Sequence, residues 1–157
     1  MTARGSGTTD MAGSVAVDTS VVVAALLTWH EHHAVARQAL EAAMGTPPLV
    51  LPVAVLVESY SVMTRLPPPH RLSPADAHAL LRRNFATSAR VEGLSGAGCW
   101  SLLAALAAEG IAGGRTYDAH IAACAVKGRA SVLLTLNVAD FVSVAGNRIE
   151  IRSPLLT

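Results

Sequence analysis

Three short, wholly apolar runs, Val15-Ala16-Val17, Leu49-Val50-Leu51 and Val132-Leu133-Leu134, alternate along this chain with longer stretches of helical character. Continuous apolar runs of this length suit strands buried on both faces. Their alternation with helices therefore predicts an α/β fold whose parallel sheet is covered on both sides, with right-handed crossovers. Strands are expected at Ser14 to Val17, Leu49 to Leu51, Arg90 to Glu92, Val132 to Thr135 and Ile149 to Ile151. Helices are expected from Asp18 to Leu27, from His30 to Met44, where Val35, Ala36, Ala39, Leu40 and Ala43 repeat at helical spacing, and from Pro52 to Leu66. Further helices run from Ser73-Pro74 to about Phe85, from Ser95 to Glu109 before Gly110, and from Tyr117 to Lys127, with Thr116 as the expected cap. The Pro67-Pro68-Pro69 run and Gly45-Thr46-Pro47-Pro48 act as stops.

With 157 residues, the chain accommodates one domain, expected over 14–157, behind a loose Gly/Ser/Thr-rich tail at 1–13, in which Met11 offers a second start. It is 52% hydrophobic, yet holds no run of about 18 apolar residues, so the apolar excess belongs to a core or an interface rather than a membrane span. Twelve basic and eleven acidic residues leave a net charge of +1 and no global attraction to nucleic acid. Cys99 and Cys124 match no metal or redox spacing and read as free thiols in a reducing, cytoplasmic setting.

Against this apolar background, four stretches each carry an acid: Val17-Asp18-Thr19-Ser20, Val57-Glu58-Ser59-Tyr60, Tyr117-Asp118-Ala119-His120 and Thr135-Leu136-Asn137-Val138-Ala139-Asp140-Phe141. Each has an ordinary explanation. Asp18 can cap the helix that follows it, Asp118 in a first turn suits the helix dipole, Asn137 and Asp140 fit turn chemistry, and Glu58 fits a groove-facing ion pair. Carboxylates in apolar frames are costly unless compensated, however, and four among eleven acids suggest a shared divalent cation. Asp18 and Asn137 each follow an apolar strand, which is where an open parallel sheet places its ligand crevice.

The order and spacing of these stretches over about residues 14 to 152 resemble the PIN-domain nucleases, especially the VapC-type toxins of toxin-antitoxin pairs. The resemblance implies a three-layer fold around a five-stranded parallel sheet in the order 3-2-1-4-5, and Mg²⁺- or Mn²⁺-dependent hydrolysis of RNA, transfer or ribosomal RNA being the expected targets. By motif matching, Asp18, Glu58 and Asp118 take the first three acidic positions, and the fourth is shared between Asn137 and Asp140. The catalytic set is thus Asp18, Glu58, Asp118 and Asp140; the metal set is Asp18, Asp118, Asn137 and Asp140; Ser20 and Thr135 support them. A VapB-type antitoxin and a second copy of the chain are the implied partners. Arg115, Lys127 and Arg129 are candidate RNA contacts, with solvated surface charge as the alternative. His30, His32 and His33 match no zinc motif and are assigned no chemistry, and His120 reads as packing. Two other functions stand beside this one. One is a non-catalytic PIN-like RNA- or protein-binding module, motivated by Asn137; the other is a haloacid-dehalogenase-like phosphatase, which fits poorly because Ser20 stands where its second acid belongs.

Overall fold

A computed structural model describes residues 13–155. The expected tail at 1–13 lies outside the described residues apart from Gly13. Strand β1 (Ser14–Val17) leads into α1 (Thr19–Leu26) and α2 (His33–Ala43); β2 (Leu49–Pro52) runs into α3 (Val53–Arg65) and α4 (Pro74–Phe85). Then come β3 (Ala89–Glu92), α5 (Gly96–Glu109), α6 (Arg115–Lys127), β4 (Ala130–Leu134), α7 (Val138–Ala145) and β5 (Glu150–Arg152). All strand pairs are parallel and the order is β3-β2-β1-β4-β5, as the family resemblance implies.

The three apolar runs occupy the middle of this sheet, and the more polar β3 and β5 form its edges, where two residues of each strand are exposed. Val17, Val50, Leu51 and Leu133 are fully buried. Helix α6 lies across β2, β3 and β4 with α5 and α7 packed on it, while α1 packs on α2 and α3, and α3 on α4. Gly128 permits the close approach of α6 to the sheet: a Cβ there would stand 2.6 Å from Val50 Cγ1. Gly110, at φ 68°, closes α5 in the left-handed conformation expected of it. Among the described residues, no helix is long and apolar enough to cross a membrane.

Four local expectations need correction. Thr116 does not cap α6; Gly113 at φ 64° starts the turn early, Thr116 N–H donates to the Gly113 carbonyl, and the helix begins at Arg115. The segment after β4 is a helix, α7, rather than a turn alone, because Phe141, Val144 and Ala145 recur at helical spacing and are buried. Helix α2 starts at His33, since His30 to His32 form a turn in which the His32 N–H donates to His30 Nδ1. Thr135 lies just beyond β4, its side chain turned towards Asp18.

Candidate active site

Strand β1 sits between β2 and β4, so the chain leaves the carboxyl ends of β1 and β4 into different helices, and a crevice opens where the strand order reverses. Asp18 is the first residue past β1, and its N–H donates to the Leu134 carbonyl of β4 at 3.0 Å. Its side chain does cap α1, accepting from Val21 N–H at 3.3 Å, but it does more. Ser20 Oγ donates to Asp18 Oδ1 at 2.6 Å, and Thr135 Oγ1 donates to Oδ2 at 2.8 Å. Each hydroxyl in turn accepts a backbone N–H from the β4–α7 loop, Ser20 from Leu136 at 3.0 Å and Thr135 from Asn137 at 2.9 Å. With those amides on their lone pairs, both hydroxyls point their protons at the carboxylate. The two loops are thereby locked together around one acid.

Asp18 is only 3% exposed. Burial pushes its carboxyl up to about 6, against the pull of the Ser20, Thr135 and Val21 hydrogen bonds, and the charge of Glu58 adds to the rise. Glu58 reaches the same place from the second turn of α3, held by Thr19 Oγ1, which donates to its Oε2 at 3.0 Å. Asp118, in the first turn of α6, is half-buried; its pKa is raised by burial first, then by the charges of Asp140 and Glu58. Asp18, Glu58, Asp118 and Asn137 line one open cleft of about 500 Å³. Asp140 does not line it, but stands near enough to act electrostatically on Asp118.

The other candidates are placed as follows. Arg115 is at the cleft end of α6, where its guanidinium donates to the Ser143 carbonyl of α7. Lys127 is the last residue of α6 and Arg129 lies just beyond it, roughly 14 Å or more along the axis from Asp118, and Lys127 donates to the Gly93 carbonyl. Neither lines the cleft. Cys99 and Cys124, both expected to be buried, are free thiols, of which Cys124 is buried and Cys99 only half-buried. Sequence spacing gives no role to His30 and His32, yet both line the cleft because the α1–α2 turn folds back over it. Burial, then the neighbouring His32, lowers the His30 pKa below its usual value.

The donor set suits a hard divalent cation: carboxylates that raise one another's pKa, an amide oxygen, and no lysine or arginine in the cleft lining. Asp18 Oδ1 already accepts two hydrogen bonds and Oδ2 one, so Oδ2 keeps a lone pair for an ion or its water. Among the described residues no three His, Cys, Asp or Glu side chains close up into a ready-made metal cage. A Mg²⁺ ion bound there would take only one or two of these carboxylates directly and keep several of its waters.

The PIN-domain family model matches residues 15–147, which include every acid of the cleft. The chain belongs to the PIN-domain family. This PIN domain is 38% identical to Ribonuclease VapC40 of Mycobacterium tuberculosis over 137 residues, covering 87% of this chain and 96% of that protein. Among solved structures it resembles the crystal structure of Mycobacterium tuberculosis VapC20, described as a sarcin-ricin loop cleaving toxin, with a TM-score of 0.65 at 20% identity, covering 85% of this chain and 95% of that one. It also resembles VapBC2 from Rickettsia felis bound to a fragment of its promoter DNA, with a TM-score of 0.60 at 16% identity over 88% of this chain and 97% of that one.

Proposed function

We propose that this PIN domain is the toxin of a toxin-antitoxin pair, a Mg²⁺- or Mn²⁺-dependent endoribonuclease that hydrolyses phosphodiester bonds of structured RNA such as transfer or ribosomal RNA. The observation that carries the reading is the single cleft lined by Asp18, Glu58, Asp118 and Asn137 in a chain 38% identical to a VapC ribonuclease. When bound, the divalent ion neutralises the phosphate and lowers the pKa of water.

In this reading Asp18, Asp118 and the Asn137 amide oxygen would hold the ion, and Asp140 adds a negative charge close enough to act on Asp118. Asp18 is the fixed member, since its hydrogen bonds to Ser20, Val21 and Thr135 prevent rotation. Glu58 is tethered through Oε2 and exposed, which leaves Oε1 to accept a proton from the attacking water. The Thr19 hydrogen bond and the α1–α3 packing hold the Glu58 carboxylate close enough to Asp18 for its charge to be felt there. Arg115, at the cleft end of α6, is the best placed of the three basic candidates to meet the RNA backbone.

A VapB-type antitoxin is the partner suggested by the VapBC2 likeness, and a second copy of the chain is suggested by Trp100, Leu103 and Tyr117, which are 75%, 47% and 72% exposed on α5 and α6. The reading includes a cytoplasmic location. The test of function is Asp118→Asn, which removes a charge without changing size: Mg²⁺-dependent RNA cleavage is expected to fall by at least 100-fold with the circular dichroism spectrum unchanged. Undiminished cleavage by the purified variant would refute the assignment.

A further inference from the structure

The acidic cleft has a second wall made of rings. Trp29, in the α1–α2 turn, stacks on His70 of the α3–α4 loop, with ring centroids 4.1 Å apart and planes 26° from parallel. From Trp29 the series continues to His30 at 5.9 Å and from His30 to His32 at 5.8 Å. His30 and His32 line the cleft that holds Asp18 and Glu58, so the four rings form a continuous strip from the α3–α4 loop to the candidate active site. Core packing does not account for it: Trp29 is 45% exposed, His70 is exposed, and neither belongs to the apolar core.

Both loops are held in place without a ligand. In the first, His30 N–H donates to the Leu27 carbonyl and His33 N–H to the His30 carbonyl, each at 3.0 Å, and His32 N–H donates to His30 Nδ1. Because Nδ1 accepts, the neutral His30 ring carries its proton on Nε2, a free donor for a base or phosphate oxygen. In the second, His70 N–H donates to the Pro67 carbonyl at 3.0 Å, and Arg71 Nε donates to the Leu66 carbonyl at 2.7 Å. A preorganised series of rings beside the candidate active site, with Trp29 and His70 stacked and the His30 and His32 planes turned by 38° and 46° from one ring to the next, has a natural ligand, the unpaired nucleobase. Bases splayed out of a helix stack on aromatic and imidazole rings, whereas bases inside a duplex have both faces occupied already.

We propose that Trp29, His30, His32 and His70 form a base-stacking platform that holds unpaired nucleotides next to the scissile phosphate. The proposal rests on the ribonuclease reading above.

The test uses the full chain carrying Asp118→Asn, to prevent cleavage, and Trp100→Phe, so that Trp29 is the only tryptophan. The probes are a 12-nucleotide single-stranded RNA and the same sequence fully paired. Single-stranded RNA is expected to quench Trp29 emission and to bind roughly 10-fold more weakly when Trp29→Ala is added, with Trp29→Phe restoring most of the affinity. Duplex affinity is expected to be the same with and without Trp29→Ala, an outcome that a merely structural role for Trp29 would not produce. His70→Ala, which leaves Trp29 in place, is expected to weaken single-strand binding several-fold and serves if Trp29→Ala fails to fold. Equal single-strand affinity in the folded Trp29→Ala and His70→Ala variants, or equal losses for single strand and duplex, would overturn the platform and leave the rings to a protein partner. Cleavage assays with an otherwise wild-type chain separate the two readings. RNA cleavage at equal kcat/KM with and without Trp29→Ala removes the platform alone, and absence of any RNA cleavage or binding removes the ribonuclease reading with it.

Discussion

Replacing Asp18 by Asn should stabilise the metal-free protein at neutral pH. Asp18 is buried with its carboxyl pushed from an ordinary 3.8 to about 6, so the folded state holds its proton more tightly than the unfolded state does. The sign follows from linkage. Below pH 3.8 the group is protonated in both states and costs nothing. As pH rises through 3.8 towards 6 the unfolded chain ionises first, and above 6 the folded state carries the whole penalty, about 3 kcal/mol at 1.36 kcal/mol for each pH unit. Between pH 4.5 and 7.5 this group alone should lower wild-type stability by about 2 kcal/mol, relative to a variant that cannot ionise. The substituted amide keeps an oxygen for Ser20 and Val21 but turns an NH₂ towards Thr135, a pH-independent cost of about 1 kcal/mol. The slope, not the offset, is therefore diagnostic. Urea unfolding in EDTA at pH 4.5, 5.5, 6.5 and 7.5, followed by circular dichroism, should show the Asp18→Asn variant gaining on wild type up to pH 6.5 and then levelling off. Added Mg²⁺ should stabilise wild type at pH 7.5, lose most of that effect at pH 5, and leave the variant unmoved. A stability difference that stays constant across the pH range would mean that Asp18 is not held in a desolvated, cation-seeking state.

Other substitutions probe the scaffold beneath the site. Thr135→Val removes one donor from Asp18 and the acceptor of Asn137 N–H; it should cost about 1–3 kcal/mol and move the acidic limb of the pH–rate profile for RNA cleavage to higher pH, as seen in urea melts and cleavage rates. Phe141→Ala opens a cavity where α7 meets the core and should cost about 3–5 kcal/mol by urea melt. Gly128→Ala places a Cβ against Val50 and should cost about 1–3 kcal/mol, with near-normal cleavage at temperatures where the protein stays folded.

The central sheet was legible because Val15 to Val17, Leu49 to Leu51 and Val132 to Leu134 are apolar without interruption, which only strands buried on both faces require. Helix α7 was hidden because it is one of the two shortest helices described, and Asn137 and Asp140 at its start also suit a turn; only Phe141, Val144 and Ala145 betray its buried face. The acids could be singled out from their apolar frames, and the fold places Asp18, Glu58, Asp118 and Asn137 around one cleft. Their support was only partly readable. Ser20 and Thr135 stood out as polar neighbours, but the amides of Leu136 and Asn137 that orient them depend on how two loops meet across β1 and β4. His30 and His32 could not be placed for the same reason: a turn that doubles back over a cleft leaves no periodicity to detect. Lys127 and Arg129 were drawn towards the site by nearness in sequence, which a straight helix converts into distance.

The most direct measurement maps the 5′ ends released from total RNA by wild type and by Asp118→Asn, each with Mg²⁺ and with EDTA. Discrete cleavage sites are expected for wild type with Mg²⁺ and none in the other three reactions. The same cleavage pattern in EDTA, or from the Asp118→Asn protein, would contradict the metal-dependent ribonuclease assignment.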